Sequence, residues 1–207
     1  MKLLIHDFIP EQWKQKEALF HGYRIIGPND NIHPCTGCFS CWKKTPGRCV
    51  IKDGFDQMGA IINDCEELVI NTRFTYGGFS SFVKNVFDRS LGYVLPYFEV
   101  SQKEMHHKRR YEDVKKVTFI FRGNDLSQKD SEMAVRYCHA LCRNLRGEVK
   151  EVLFENEESN EIPVLPKEPE NGKAIILNCS PRLAGSNSQL FINRFTPYLT
   201  IPFEQIN

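Results

Sequence analysis

The sequence predicts an α/β fold of the doubly wound kind: a five-stranded parallel sheet with helices on both faces, followed by a C-terminal arm. Three observations predict it. Apolar runs of strand length recur along the chain, and segments with apolar residues at helical spacing lie between them. The third run, Leu68, Val69 and Ile70, does not alternate with polar residues, as a strand covered on both faces requires. Strands and helices taken in turn assemble a parallel sheet by crossover connections.

The elements come in order. "KLLIHDF" is a short buried strand, and after Pro10 the segment "EQWKQKEALF" repeats Trp13, Lys16, Glu17 and Phe20 at helical spacing. "YRIIGP" is the second strand, closed by Gly27, Pro28 and Asn29. After a cysteine-rich loop, "GFDQMGAIINDC" sets Phe55, Met58, Ile61 and Ile62 on one helical face, and "EELVINTRF" is the third strand. "SSFVKNVFDRSLGYVL" is helical in period, with Asp88 and Arg89 read as a structural ion pair. "KKVTFIFRG" is the fourth strand. "DSEMAVRYCHALCRNLRG" is a helix with Asp130 or Ser131 as its cap and Gly147 at its end, and "EVKEVLF" is the fifth strand.

These elements place one domain over residues 1–155. "ENEESNEIPVLPKEPENG", rich in Glu, Asn and Pro, supplies a linker over 156–172. Residues 173–207 form the arm, a strand, a small-residue loop and a helix start in "KAIILNCSPRLAGSNSQLFINRF". That strand is apolar on both faces and must find a sheet, its own or that of a second chain by exchange in a homodimer.

Composition sets outer bounds. The chain has 207 residues, 41% apolar and 26% charged, with a net charge of +1, which points to neither nucleic acid nor a membrane. The apolar stretch of "MKLLIHDF" is too short for a signal peptide, so the expected location is the cytoplasm. In that reducing compartment the eight cysteines are metal ligands, redox groups or inert thiols rather than a disulfide framework.

Three loops carry the chemistry. "TYGGFSS", Thr75 to Ser81, follows a buried strand and precedes a helix, so its amides cluster at a helix start, and Gly77 with Gly78 allows a flat group close to the backbone. The competing reading is an ordinary strand-to-helix turn. "NCSPRLAGSNS" has a phosphate-binding composition: Ser180, Ser186, Asn187 and Ser188 are donors and Arg182 adds charge. The loop after the first strand, "HDFIPEQ", is acidic at Asp7 and Glu11 and has no such donors. Cys35, Cys38, Cys41 and Cys49 have the spacing C-x2-C-x2-C-x7-C, sufficient for a four-iron cluster or a zinc site, or for thiols packed in the loop. His106 and His107, in "KEMHHKRRYED", read as part of a charged solvated loop whose His107, Lys108, Arg109 and Arg110 could attract phosphates. His6 and His33 beside strand ends read as structural.

The cysteine loop, "VIKDGFDQM", "TRFTYGGFSSFVKNVFDRS" and "NCSPRLAGSNS" together resemble the flavodoxin-like NAD(P)H-dependent FMN reductases, among them the iron-sulfur flavoproteins. The likeness covers residues 1–155 in order, with 173–195 as an out-of-place copy of the family's usual opening. It implies FMN at the carboxyl ends of the strands, where strand order switches. Phe74 and Tyr76 would border the ring, with Thr75, Gly77, Gly78 and Ser80 offering close approach and donors, and Ser180, Arg182, Ser186, Asn187 and Ser188 would hold the phosphate. The implied activity is NAD(P)H reduction of FMN and electron transfer to a small acceptor such as a quinone, flavin or nitro compound, with no catalytic side chain required. Two alternatives stay open: an electron carrier with a four-iron four-sulfur cluster on Cys35, Cys38, Cys41 and Cys49, and a flavin-free flavodoxin-like interaction protein.

Overall fold

A computed structural model describes residues 1–101, 103–124 and 126–156, together with the backbone of 174–177 and 203–206. The chain divides into two compact units, Met1–Glu158 and Ser159–Asn207. The expected linker and most of the arm, including the whole serine-rich loop, lie outside the described residues.

The first unit opens with β1 (Lys2–His6), α1 (Pro10–Lys16) and a 3-10 turn over Glu17–Phe20. It continues through β2 (Tyr23–Ile26), α2 (Ser40–Lys43), α3 (Met58–Asn63), β3 (Glu67–Arg73) and α4 (Ser81–Arg89). Next come β4 (Val94–Ser101), β5 (Glu104–Arg109), β6 (Lys115–Arg122), α5 (Gln128–Leu145) and β7 (Gly147–Glu155). The central sheet has the order β2-β1-β3-β6-β7, every pair parallel. This order, which reverses between β1 and β3, is flavodoxin-like. Leu3, Leu4, Ile5, Leu68, Ile70, Val117, Phe119 and Phe121 from the three inner strands are buried, as strands covered on both faces must be.

Three features depart from the sequence reading. The helix expected through "SLGYVL" stops at Arg89; a short 3-10 turn over Leu91–Tyr93 follows, and the chain then runs out into an antiparallel hairpin of β4 and β5. The supposed solvated loop with His106 and His107 is therefore the second hairpin strand, where Glu99 faces His106 and Phe98 faces His107. Val94, Val100 and Tyr97 favour strand, and Pro96 excludes a helix interior. The last helix begins earlier than expected: Ser127 is its cap, in a capping box with Asp130, and Arg146 in the left-handed region ends it before Gly147 starts β7. Arg89 is also paired differently, with Asp53 rather than Asp88.

In the second unit, β8 (Ala174–Leu177) pairs in parallel with β9 (Phe203–Ile206), with Ala174 opposite Phe203. The strand that the sequence left seeking a sheet thus has a partner within its own chain.

Candidate functional site at the carboxyl end of the sheet

The C-terminal end of β3 leads into the loop that the sequence singled out. Thr75 and Gly78 exchange backbone bonds, Thr75 N to Gly78 O at 2.9 Å and Gly78 N to Thr75 O at 3.1 Å. Between them Tyr76 has φ +47° and Gly77 φ +84°, the double positive φ of a type I′ turn. Glycine suits that conformation, while tyrosine is strained in it. Tyr76 is also 94% exposed, so no internal packing accounts for its conformation. An ideal Cβ on Gly77 would stand 2.5 Å from the Met133 sulfur of α5, giving this glycine a reason within the protein as well. Gly78 lies against Tyr137, and Phe74 is half-buried, its ring at 75° to that of Phe121. Ser80 caps α4, its hydroxyl accepting from Val83 N, while its own amide donates to Thr72 Oγ1 at 3.1 Å. Phe74, Thr75, Tyr76, Gly77, Gly78 and Ser80 thus form one continuous shelf leading into α4.

The neighbouring corner, at the end of β1, is closed from within. Asp7 N donates to Asn71 O at 3.3 Å, Phe8 N to His6 Nδ1 at 3.1 Å and Ile9 N to Gln12 Oε1 at 3.3 Å. The Asp7 carboxylate accepts from Thr72 Oγ1 at 2.9 Å, from Arg73 N at 3.0 Å and from the Arg122 guanidinium. Arg122 is 3% exposed, also donates to Asn71 Oδ1 at 2.8 Å and Gln12 Oε1 at 3.2 Å, and lies over the Phe8 ring. An anion is therefore already present here, and it is the protein's own. His6 beside it stacks on Trp13 at 4.3 Å, and burial lowers its pKa to about 4, so it is neutral near pH 7.

The cysteine loop is fastened at several points. Trp42 Nε1 donates to Val94 O at 3.0 Å, Cys35 N to Asn85 Oδ1 at 3.2 Å and Cys49 N to Asp56 O at 2.7 Å. All seven cysteines among the described residues are free; Cys35 and Cys38 are exposed, and Cys41 and Cys49 are half-buried. The Cys41 pKa is raised, first by burial and then by the charges of Cys49, Cys35 and Cys38. Cys38 is lowered to about 7, chiefly by the Ser40 hydroxyl. Among the described residues no group of three or more His, Cys, Asp and Glu is arranged to hold a metal ion. The expectation of an iron-sulfur or zinc site at Cys35, Cys38, Cys41 and Cys49 therefore gains no support.

No protein-family model matches the chain, and no curated protein matches it. Several solved structures do. One is the Trp repressor binding protein from Bacillus subtilis, 12% identical over 77% of this chain and 88% of that chain, with a TM-score of 0.47. Another is an FMN-dependent NADH-azoreductase from Bacillus anthracis in complex with FMN, 14% identical over 75% and 86%, at 0.45. A third is an NAD(P)H:quinone oxidoreductase from Methanothermobacter marburgensis, 14% identical over 75% and 85%, at 0.44. The strand order β2-β1-β3-β6-β7 carries the fold on its own.

The Thr75–Gly78 turn is written in the sequence, but the lock at the neighbouring corner is not. "HDFIPEQ" announced an acidic loop, yet nothing local pairs Asp7 with Arg122, 115 positions away. A signal was present in "FIFRG": an arginine ending a buried strand needs an acidic partner. Among the described residues no helix is long and apolar enough to cross a membrane.

Proposed function

We propose that the chain is an FMN-dependent NAD(P)H oxidoreductase that passes electrons from reduced flavin to a small acceptor of the quinone, flavin or nitro type. Tyr76 carries this reading: an aromatic side chain held at positive φ, 94% exposed, beside a shelf at the switch point of a flavodoxin-like sheet. The shelf suits the ring end of FMN. Tyr76 and Phe74 would flank the flat ring, and the backbone from Thr75 to Ser80 would face its polar edge.

The corner after β1 does not suit the phosphate end, because its three amides are internally bonded and Asp7 would repel a dianion. In this reading the phosphate falls to Ser180, Arg182, Ser186, Asn187 and Ser188, on the sequence grounds given above. When bound, FMN supplies the hydride and electron chemistry, and the chain supplies position and exclusion of water. The free state of all seven described cysteines accords with a cytoplasmic setting, and we include a homodimer in the proposal.

A second reading, a flavin-free interaction scaffold, is favoured by the internally closed corner. Titrating the purified chain with FMN, with flavin fluorescence and NAD(P)H oxidation as readouts, separates the two. The first reading expects saturable quenching, weakened at least tenfold by Tyr76→Ala and by the double change Ser180→Ala and Arg182→Ala. No saturable binding in the unaltered chain would leave the scaffold.

A further inference from the structure

Neither the shelf nor the corner uses the thiols of the cysteine loop. We infer that Cys35 and Cys38 act as an exchange dithiol for disulfide-bearing polypeptides, docked on an apolar strip shared by the cysteine loop and the β4–β5 hairpin.

The strip is continuous. Phe39, directly after Cys38, stacks on Trp42 with centroids 5.3 Å apart, Trp42 meets His107 at 4.9 Å, and His107 meets Phe98 at 4.5 Å. Val100 and Met105 are register partners on the same hairpin face as Phe98 and His107. Phe98, Val100 and Met105 are 62%, 75% and 71% exposed, and Phe39 is 48% exposed. The opposite face is taken: His106 bonds Asn144 Oδ1, and Glu104 pairs with Arg143, both from α5. Exposed apolar area of this extent, next to exposed thiols in a pinned loop, fits an extended apolar segment. Exposed Lys43 and Lys44 beside Trp42 favour acidic residues on its flanks.

Cys38 has the role of attacking thiol. It is exposed and directly precedes Phe39 at the end of the apolar strip, and Gly37, at φ +63°, turns the chain between it and Cys35. The sulfur of Cys38 displaces one half of the partner disulfide as a thiol, forming a mixed disulfide. Cys35 then attacks the Cys38 sulfur, closing a Cys35–Cys38 disulfide and releasing the other half. The partner gains two electrons and two protons, and the dithiol loses them. The inference holds whether or not flavin binds.

The test uses the full reduced chain, the disulfide-linked dimer of the peptide Asp-Leu-Phe-Cys-Leu-Glu, and glutathione disulfide as a polar comparator. Intact mass should show the native chain losing two hydrogens, with the bond mapped to Cys35 and Cys38. Cys35→Ser should stop at one peptide adduct on Cys38, and Cys38→Ser should form neither product. Phe98→Ser with Met105→Ser, checked for native circular dichroism, should slow the peptide reaction about tenfold and leave the glutathione rate unchanged. An adduct on Cys41 or Cys49 instead, equal slowing with both disulfides, or anaerobically prepared chain holding stoichiometric zinc or iron on these thiols would each overturn it.

Discussion

Arg89 grips Asp53 with both terminal nitrogens, Nη1 at 2.6 Å from Oδ2 and Nη2 at 2.9 Å from Oδ1, which fixes the end of the cysteine loop to α4. The arginine side chain is fully buried, and Arg89 also donates to His33 O at 2.7 Å. The guanidinium holds the Asp53 carboxyl well below the usual carboxylate range. Removing one partner strands the other, so Asp53→Ala should cost about 3–5 kcal/mol in urea unfolding. A loss under about 1 kcal/mol would mean that the loop is held by its other anchors alone.

His6 gives the fold an acid limit. Its pKa is lowered to about 4 in the folded chain, against about 6.5 when unfolded. A depressed histidine contributes stability that is complete above the unfolded value and is lost as pH falls from about 6.5 toward 4. The chain should lose about 3 kcal/mol across that window. Asp53 adds a further loss as pH falls through the ordinary carboxylate range and below it. Unfolding measured at pH 7.5, 5.5 and 4.5 in the native chain and in His6→Gln checks this; an unchanged slope in the variant would clear His6 of the effect.

Gly77 is constrained twice, by φ +84° and by Met133. Gly77→Ala should cost at least about 1–2 kcal/mol from the left-handed backbone alone. Part of any further cost should vanish in a Met133→Ala background, because the clash is then gone while the backbone strain remains. A double-mutant cycle with no coupling would show that the Met133 side chain swings aside freely.

All five strands of the central sheet lie within residues 1–155. A chain ending at Glu158 should therefore keep its far-ultraviolet circular dichroism per residue and unfold cooperatively. Loss of cooperative melting would show that the first unit depends on residues 159–207 for its stability.

The parts legible in the sequence were those written locally. Leu68–Ile70 announced an inner strand, and the Thr75–Gly78 turn announced itself through two adjacent glycines after a strand. The hairpin was hidden because its β5 strand, "EMHHKR", is polar and half-solvated, with nothing apolar at period two except Met105. The Asp7–Arg122 pairing was hidden because chain separation, not composition, decides who meets at the end of a sheet. The cap of α5 was misplaced by three or four residues because Asp130 does take part in the capping box, at the N3 position rather than as the N-cap.

The Asp7 corner has one more consequence, for the stability of the protein on its own. A fold that relies on a guest anion at its strand ends melts at a temperature that climbs with the guest's concentration. Here the counter-ion is covalently part of the chain, at a fixed one-to-one dose that dilution cannot remove. Thermal midpoints in phosphate and in an uncharged buffer of equal ionic strength should therefore coincide for a chain ending at Glu158, and whatever that end of the sheet comes to bind, it is already assembled when the ligand arrives.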